Sequence, residues 1–116
     1  MRIDSYHFGE IVIGGKEYKN DVMIYRGQVV SWWRAEGHHL QLRDLDWLLE
    51  QEPPPEVVVL GKGRYGLVTV PEEVIEALKD QGIEVLVRNT KEACEVYNEL
   101  VESEPKRVAA ALHLTC

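Results

Sequence analysis

Val57-Val58-Val59-Leu60 is a continuous apolar run, the pattern of a strand buried on both faces rather than one half-exposed at a surface. The segments that follow it alternate in period. Pro71 suits the first position of a helix, and Glu72 and Glu73 favour the positive end of its dipole. Val74, Ala77 and Leu78 form the apolar stripe of that helix, and Gly82 is its natural stop. Residues 83–87 then read as a strand. Thr90 is placed to cap a helix whose Ala93, Val96, Tyr97, Leu100 and Val101 share one face. Residues 108–114 form the last strand. The order β-α-β-α-β implies an α/β sheet with helices packed on it, joined by right-handed crossovers where strands run parallel.

The first forty residues have a different texture. Tyr6-His7-Phe8 and Glu10-Ile11-Val12-Ile13 lead to the turn pair Gly14-Gly15. Lys16-Glu17-Tyr18 passes through Asn20-Asp21 into Val22-Met23-Ile24-Tyr25, and Gly27 precedes the β-branched and aromatic stretch 28–33. Strands this closely joined cannot be parallel neighbours, so an antiparallel meander is expected. Asp44 can cap a short helix carrying Leu45, Leu48 and Leu49, which Pro53-Pro54-Pro55 must end. Nothing marks a linker or a repeat, and residues 1–116 are read as one domain.

Composition narrows the functional classes. Thirteen Lys and Arg against twenty Asp and Glu leave a net charge of −7, a field that repels phosphate backbones and anionic headgroups. Neither nucleic-acid nor membrane binding is therefore expected. The sequence has no apolar run long enough to span a bilayer and no signal-peptide core. With its two cysteines, Cys94 and Cys116, it is expected in the reducing cytoplasm.

Gly61-Lys62-Gly63-Arg64-Tyr65-Gly66 spells a dinucleotide-binding pattern after a strand, but the next helix starts too late and no ribose-binding acid ends the next strand. The glycines read instead as a tight turn. Lys62, Arg64 and Arg88 follow the carboxyl ends of strands, where open α/β sheets bind ligands, and Thr90 adds donors on that rim. They are a candidate anion site, weighed against solvated loop-end charges. His113 and Cys116 stand three apart, and within a strand such positions point to opposite faces. The adjacent His38 and His39 diverge as well when extended. Only a composite of the two segments escapes the objection, and neither metal nor cofactor is assigned. Cys94 edges the apolar helix face as a small buried thiol. At Cys116, read as the end of the chain, its own carboxylate would oppose thiolate formation. No serine stands in a nucleophile-elbow context, and no catalytic residue is assigned. Trp32 and Trp33 are consecutive on a strand, so one faces outward. An outward Trp suits a protein partner or a homodimer, or packs beneath a neighbouring helix.

Short signatures in a fixed order complete the picture: Tyr18 and Asp21; Trp33-Arg34 with Gly37 and His39; Gly61-x-Gly63; Val70-Pro71; Gly82-Ile83; Thr90-x-x-Ala93; Tyr97-Asn98; Arg107-Val108; and His113-x-Thr115-Cys116. In these the chain resembles, nearly end to end, the Mth938-like family, which includes an adipogenesis-associated Mth938 domain-containing protein and a mitochondrial complex I assembly factor. The resemblance implies a single three-layer α/β domain with a mixed central sheet, one strand of it antiparallel, and an antiparallel β-rich N-terminal part. It implies no reaction, and a fold alone does not supply one.

Two readings of function follow. The first is a non-enzymatic binding or assembly-type protein of the cytoplasm, acting through protein contacts. The second is a small-molecule enzyme or sensor that binds an anionic ligand. Its candidate residues are Gly61, Lys62, Gly63, Arg64 and Tyr65 on the loop, Arg88 and Thr90 beside it, and Tyr97 and Asn98 on the wall.

Overall fold

The computed structural model describes residues 1–103 and 106–116. Strands β1 (Ile3–His7), β2 (Glu10–Ile13) and β3 (Lys16–Tyr18) form an antiparallel three-stranded sheet in sequence order. Here the expected meander stops. β4 (Val22–Tyr25) and β5 (Gln28–Ser31) pair antiparallel with each other but join a second sheet, with β6 (Val57–Gly61), β7 (Glu84–Arg88) and β8 (Val108–Leu112). The cause lies in the side chains. Val12 of β2 is only half-buried between buried Ile11 and Ile13, a strand with one apolar face, whereas Val22, Met23, Ile24 and Tyr25 are all buried. A strand apolar on both faces needs cover on both, which an interior place in a covered sheet provides.

The five-stranded sheet has the order β5-β4-β8-β6-β7. β6 runs parallel to β7 and β8, while β4 runs antiparallel to both of its neighbours. This is the mixed sheet with one reversed strand that the family resemblance implies. The two-residue alternation sorts its side chains to two cores. Val57, Val59, Val22, Ile24, Val108, Ala110 and Leu112 face the long helix α3 (Thr90–Ser103) and Ile3, Ile11 and Ile13 of the small sheet. Val58, Leu60, Met23, Tyr25, Ala109 and Ala111 face the opposite layer, built from Trp32, Leu40 and two helical pieces. One is a 3-10 turn (Leu42–Leu45) running into α1 (Asp46–Leu49); the other is α2 (Glu72–Asp80), ended by Gly82 at φ +80°. Each fully buried leucine, such as Leu48 or Leu78, contributes about 1.5–3 kcal/mol of transfer free energy.

Two expected caps fall differently. Asp44 lies inside the 3-10 turn, whose N-cap is Gln41, and its carboxylate reaches back to accept the Gln41 and Ala35 amides at 2.8 and 3.3 Å. The turn starts earlier than expected because that carboxylate closes it from within. Thr90 does begin α3, but its hydroxyl is used across the fold rather than along the helix. The last strand also stops at Leu112, so residues 113–116 lie beyond it.

Candidate functional site

Strand register assembles a polar cluster at one end of the central sheet. Val22 pairs with Leu112 and with Ser31, so the residues just beyond these pairs, Asp21, Trp32 and His113, must come together. The Trp32 amide continues the ladder, donating to Asp21 O at 2.7 Å. Two residues on, Arg34 turns back over Asp21.

Oδ2 of Asp21 accepts from Arg34 Nη1 at 2.9 Å and from His113 Nδ1 at 2.7 Å, while Oδ1 accepts the Leu114 amide at 2.8 Å. The Arg34 side chain is only 5% exposed; it donates from Nε to Gly37 O at 3.0 Å and lies over the Trp32 ring, 4.6 Å from its centroid. Burial alone would raise the Asp21 pKa, but the hydrogen bonds from His113, Leu114 and Arg34 and the charge of His113 outweigh it and hold the carboxyl below its usual range. Arg34 Nη2 also approaches His113 Nδ1 at 2.9 Å. Guanidinium nitrogens only donate and a carboxylate only accepts. The shorter, charge-assisted contact therefore fixes Nδ1–H as donor to Asp21. In the neutral ring that tautomer leaves a lone pair on Nε2, 3.4 Å from Thr115 Oγ1.

Beside this cluster, the 61–66 loop wraps residues 113–116. Thr90 Oγ1 donates to His113 O at 2.6 Å and accepts the Gly63 amide at 2.8 Å, while the Thr90 amide donates to Gly63 O at 3.0 Å. The Arg64 amide donates to Thr115 O at 2.6 Å, and those of Tyr65 and Leu67 donate to Cys116 O at 3.3 and 3.1 Å. Gly63 has φ +102°, and a Cβ there would sit 2.6 Å from Cys116 O. The loop is a cradle for this chain's own carbonyls; an anion on the Arg64 or Tyr65 amides would have to displace them, and one on the Gly63 amide would have to displace the Thr90 hydroxyl.

The remaining sequence candidates divide. Gly61, Gly63 and Thr90 meet closely, a Cβ at Gly61 falling 2.8 Å from Thr90 Oγ1. The Lys62 amide donates to Arg88 O at 2.9 Å, but the Arg88 side chain turns to Glu92 at 3.3 Å. Tyr65 is exposed against Phe8, ring centroids 6.2 Å apart. Tyr97 is buried in the α3 core. The Asn98 amide clamps both backbone groups of Ile3, at 2.9 and 2.8 Å. Tyr97 and Asn98 are thus engaged away from the loop. The Cys94 thiol is pushed up to about 12 by burial, reinforced by Glu95, and is no nucleophile near neutrality.

One grouping escaped the sequence reading, and another, the composite of the two histidine and cysteine segments, was left open by it. Asp21, Arg34 and His113 were separate signatures with nothing to show that they touch. In addition, donor atoms of His38, His113 and Cys116 all lie within 4.8 Å of one another. The strand-based objection to His113 with Cys116 lapses because β8 ends before either residue.

On the surface beside the cluster, Trp33 is 79% exposed. It stands between two clefts. One, of about 350 Å³, is lined by residues including Asp21, His113 and Thr115; the other, of about 510 Å³, by Met23, Arg43, Asp46 and Trp47 among others. Phe8, Tyr65 and Leu67 are also exposed, and Thr115 lies between their loop and the Trp33 cleft. Among the described residues, no helix is long and apolar enough to cross a membrane.

Residues 3–113 match the model of a family described as Protein of unknown function (DUF498/DUF598). The human protein named NADH dehydrogenase (ubiquinone) 1 alpha subcomplex assembly factor 3 is 33% identical over 116 residues, covering 97% of this chain but 60% of the human protein. The chain thus spans less than two-thirds of that relative. A conserved hypothetical protein from Pyrococcus horikoshii OT3 superposes over all of both chains with a TM-score of 0.85 at 30% identity. A Mth938-like domain from Bordetella pertussis superposes with a TM-score of 0.78 at 21% identity, over 97% of this chain and 85% of that one, and shows the shared fold.

Proposed function

The chain belongs to the DUF498/DUF598, Mth938-like family, and from that premise we propose that it is a non-enzymatic, assembly-type protein of the cytoplasm that acts by docking a protein partner on the Trp33 face. The observation that carries the reading is how Trp33 is held. On one side Trp32 is buried, with Nε1 donating to Asp44 O at 3.0 Å and its amide donating to Asp21. On the other side Arg34 is fixed by Asp21 and Gly37. The exposed indole therefore projects from a backbone locked at both flanking residues. Binding through it loses little conformational freedom, the property that makes aromatic anchors effective at interfaces. The clefts on either side are suited to the side chains of a partner. The name of the human relative, an assembly factor, supports a protein-contact role.

The test is a photo-crosslinking amino acid placed at position 33, with the same residue at the exposed Glu76 of α2 as control. A single protein captured stoichiometrically from position 33, absent from position 76 and lost with Trp33→Ala in an affinity pull-down, is the expected result. Capture of a second copy of this chain would make the face a homodimer interface. Equal labelling at both positions, with association unchanged by Trp33→Ala, would sink the proposal.

A further inference from the structure

We infer that His38, His113 and Cys116 form a binding site for a thiophilic divalent cation of the zinc class, with Asp21 orienting His113 from behind. Two imidazoles and one thiol are a donor set that zinc accepts readily, and three protein ligands with one open position are a common arrangement for it. The donor atoms lie within 4.8 Å of one another. Tetrahedral Zn²⁺ with ordinary bond lengths needs them at roughly 3.3–3.6 Å. The required closure is at most about 1.2–1.5 Å, within reach of rotation by the exposed His38 and the half-buried Cys116. The His38 and His113 rings already meet edge to face, their centroids 5.8 Å apart.

What raises this above a chance grouping is that every ligand backbone is pinned. The carbonyl of His38 accepts the Thr69 amide at 2.8 Å. The amide of His113 donates to Gly61 O at 3.1 Å, and its carbonyl accepts the Thr90 hydroxyl. The carbonyl of Cys116 accepts two amides of the 61–66 region. Behind the site, His113 Nδ1–H donates to Asp21 at 2.7 Å. That is the carboxylate–imidazole relay by which proteins set the tautomer of a metal-binding histidine and raise its basicity. The positive charge of Arg34 is cancelled by the same carboxylate, so the added cation meets no net repulsion from that pair. On coordination the Cys116 thiol releases its proton to solvent and binds as thiolate. Since His38 is exposed, a fourth ligand can enter from solvent on its side.

The experiment uses the whole chain, reduced, stripped with a chelator and titrated with Zn²⁺ alone, with Co²⁺ as the spectroscopic substitute. Expected are saturation at about one metal per chain and a thiolate-to-Co²⁺ absorption band. Cys116→Ser should abolish that band, and His38→Ala should weaken Zn²⁺ binding by more than about tenfold. Cys94→Ser should change neither. His38 is exposed, so its variant keeps the fold and decides the matter even where Cys116→Ser is unstable; alkylating Cys116 on the folded protein is the second check. Absence of saturable uptake overturns the inference. So does a Co²⁺ band that survives Cys116 blockade, or Zn²⁺ affinity indifferent to His38→Ala.

Discussion

Gly63→Ala isolates what the loop does. The native φ of +102° already disfavours any side chain, by about 1–2 kcal/mol for an L-residue. A new Cβ would also stand 2.6 Å from Cys116 O and 2.8 Å from Thr115 O, with the Cys116 carbonyl carbon closer still. Those are backbone atoms, so no rotamer change relieves the overlap. The loop and residues 113–116 must part, and the hydrogen bonds donated by the Arg64, Tyr65 and Leu67 amides go with them. At about 0.5–1.5 kcal/mol each, their loss brings the total to roughly 3–6 kcal/mol, a large share of a domain stability of about 5–15 kcal/mol. Gly15→Ala is the matched control. Its φ of +81° imposes a similar conformational cost, but a Cβ there meets nothing within 4 Å, so only about 1–2 kcal/mol is expected. Urea unfolding of both variants measures the difference, and amide exchange locates it at Arg64, Tyr65 and Leu67. Equal destabilisation by the two substitutions, or unchanged protection at those amides in Gly63→Ala, would refute the reasoning.

Three further outcomes are expected. The Asp21 pKa is depressed in the folded protein, so the stability it adds is complete above its usual value of 3.8 and is lost as pH falls through the lower folded value; Asp21→Asn should flatten that acid limb and cost about 2–4 kcal/mol at neutral pH, as loss of one partner from a mostly buried pair does, and an unaltered acid limb counts against the cluster. Trp32→Ala should destabilise by about 3–5 kcal/mol while Trp33→Ala stays within about 0.5 kcal/mol, measured by chemical denaturation; similar losses would mean that the exposed ring packs in solution. With a thiol reagent at mildly alkaline pH, Cys116 should label and Cys94, held at about 12, should not, as read by mass spectrometry of the intact chain; labelling of Cys94 in the native state would contradict its burial.

The strands and helices after Val57 were legible because their periods are local: Val74, Ala77 and Leu78 mark α2, and Val57 to Leu60 mark a doubly covered strand. The division of the N-terminal strands between two sheets was not. It depends on β4 pairing with β8, and Val22 meets Leu112 from ninety positions away in the sequence. That β4 is apolar at every position was a signal available in Val22-Met23-Ile24-Tyr25. Thr90 misleads in an instructive way, since a threonine before an apolar helical stripe reads as a cap until Gly63 and His113 appear beside it. The same holds for the 61–66 loop: its amides look free in sequence, yet those of Arg64 and Tyr65 are taken by the carbonyls of Thr115 and Cys116 and that of Gly63 by the Thr90 hydroxyl. The Asp21, Arg34 and His113 cluster joins residues 13, 79 and 92 positions apart, and no local pattern reports such a meeting.

In the order β5-β4-β8-β6-β7, the middle place belongs to the strand made last among the eight. Until Val108–Leu112 emerges from the ribosome, the β4-β5 hairpin and the β6-α2-β7 unit have no strand between them, and each presents an open, apolar edge of the kind prone to wrong pairing. Their joining waits on long-range contacts, whose loop-closure entropy slows folding. A growing chain that has not yet made β8 can form at most two half-sheets, and Ala109-Ala110-Ala111, the small residues of the central strand, are what join them in the finished sheet.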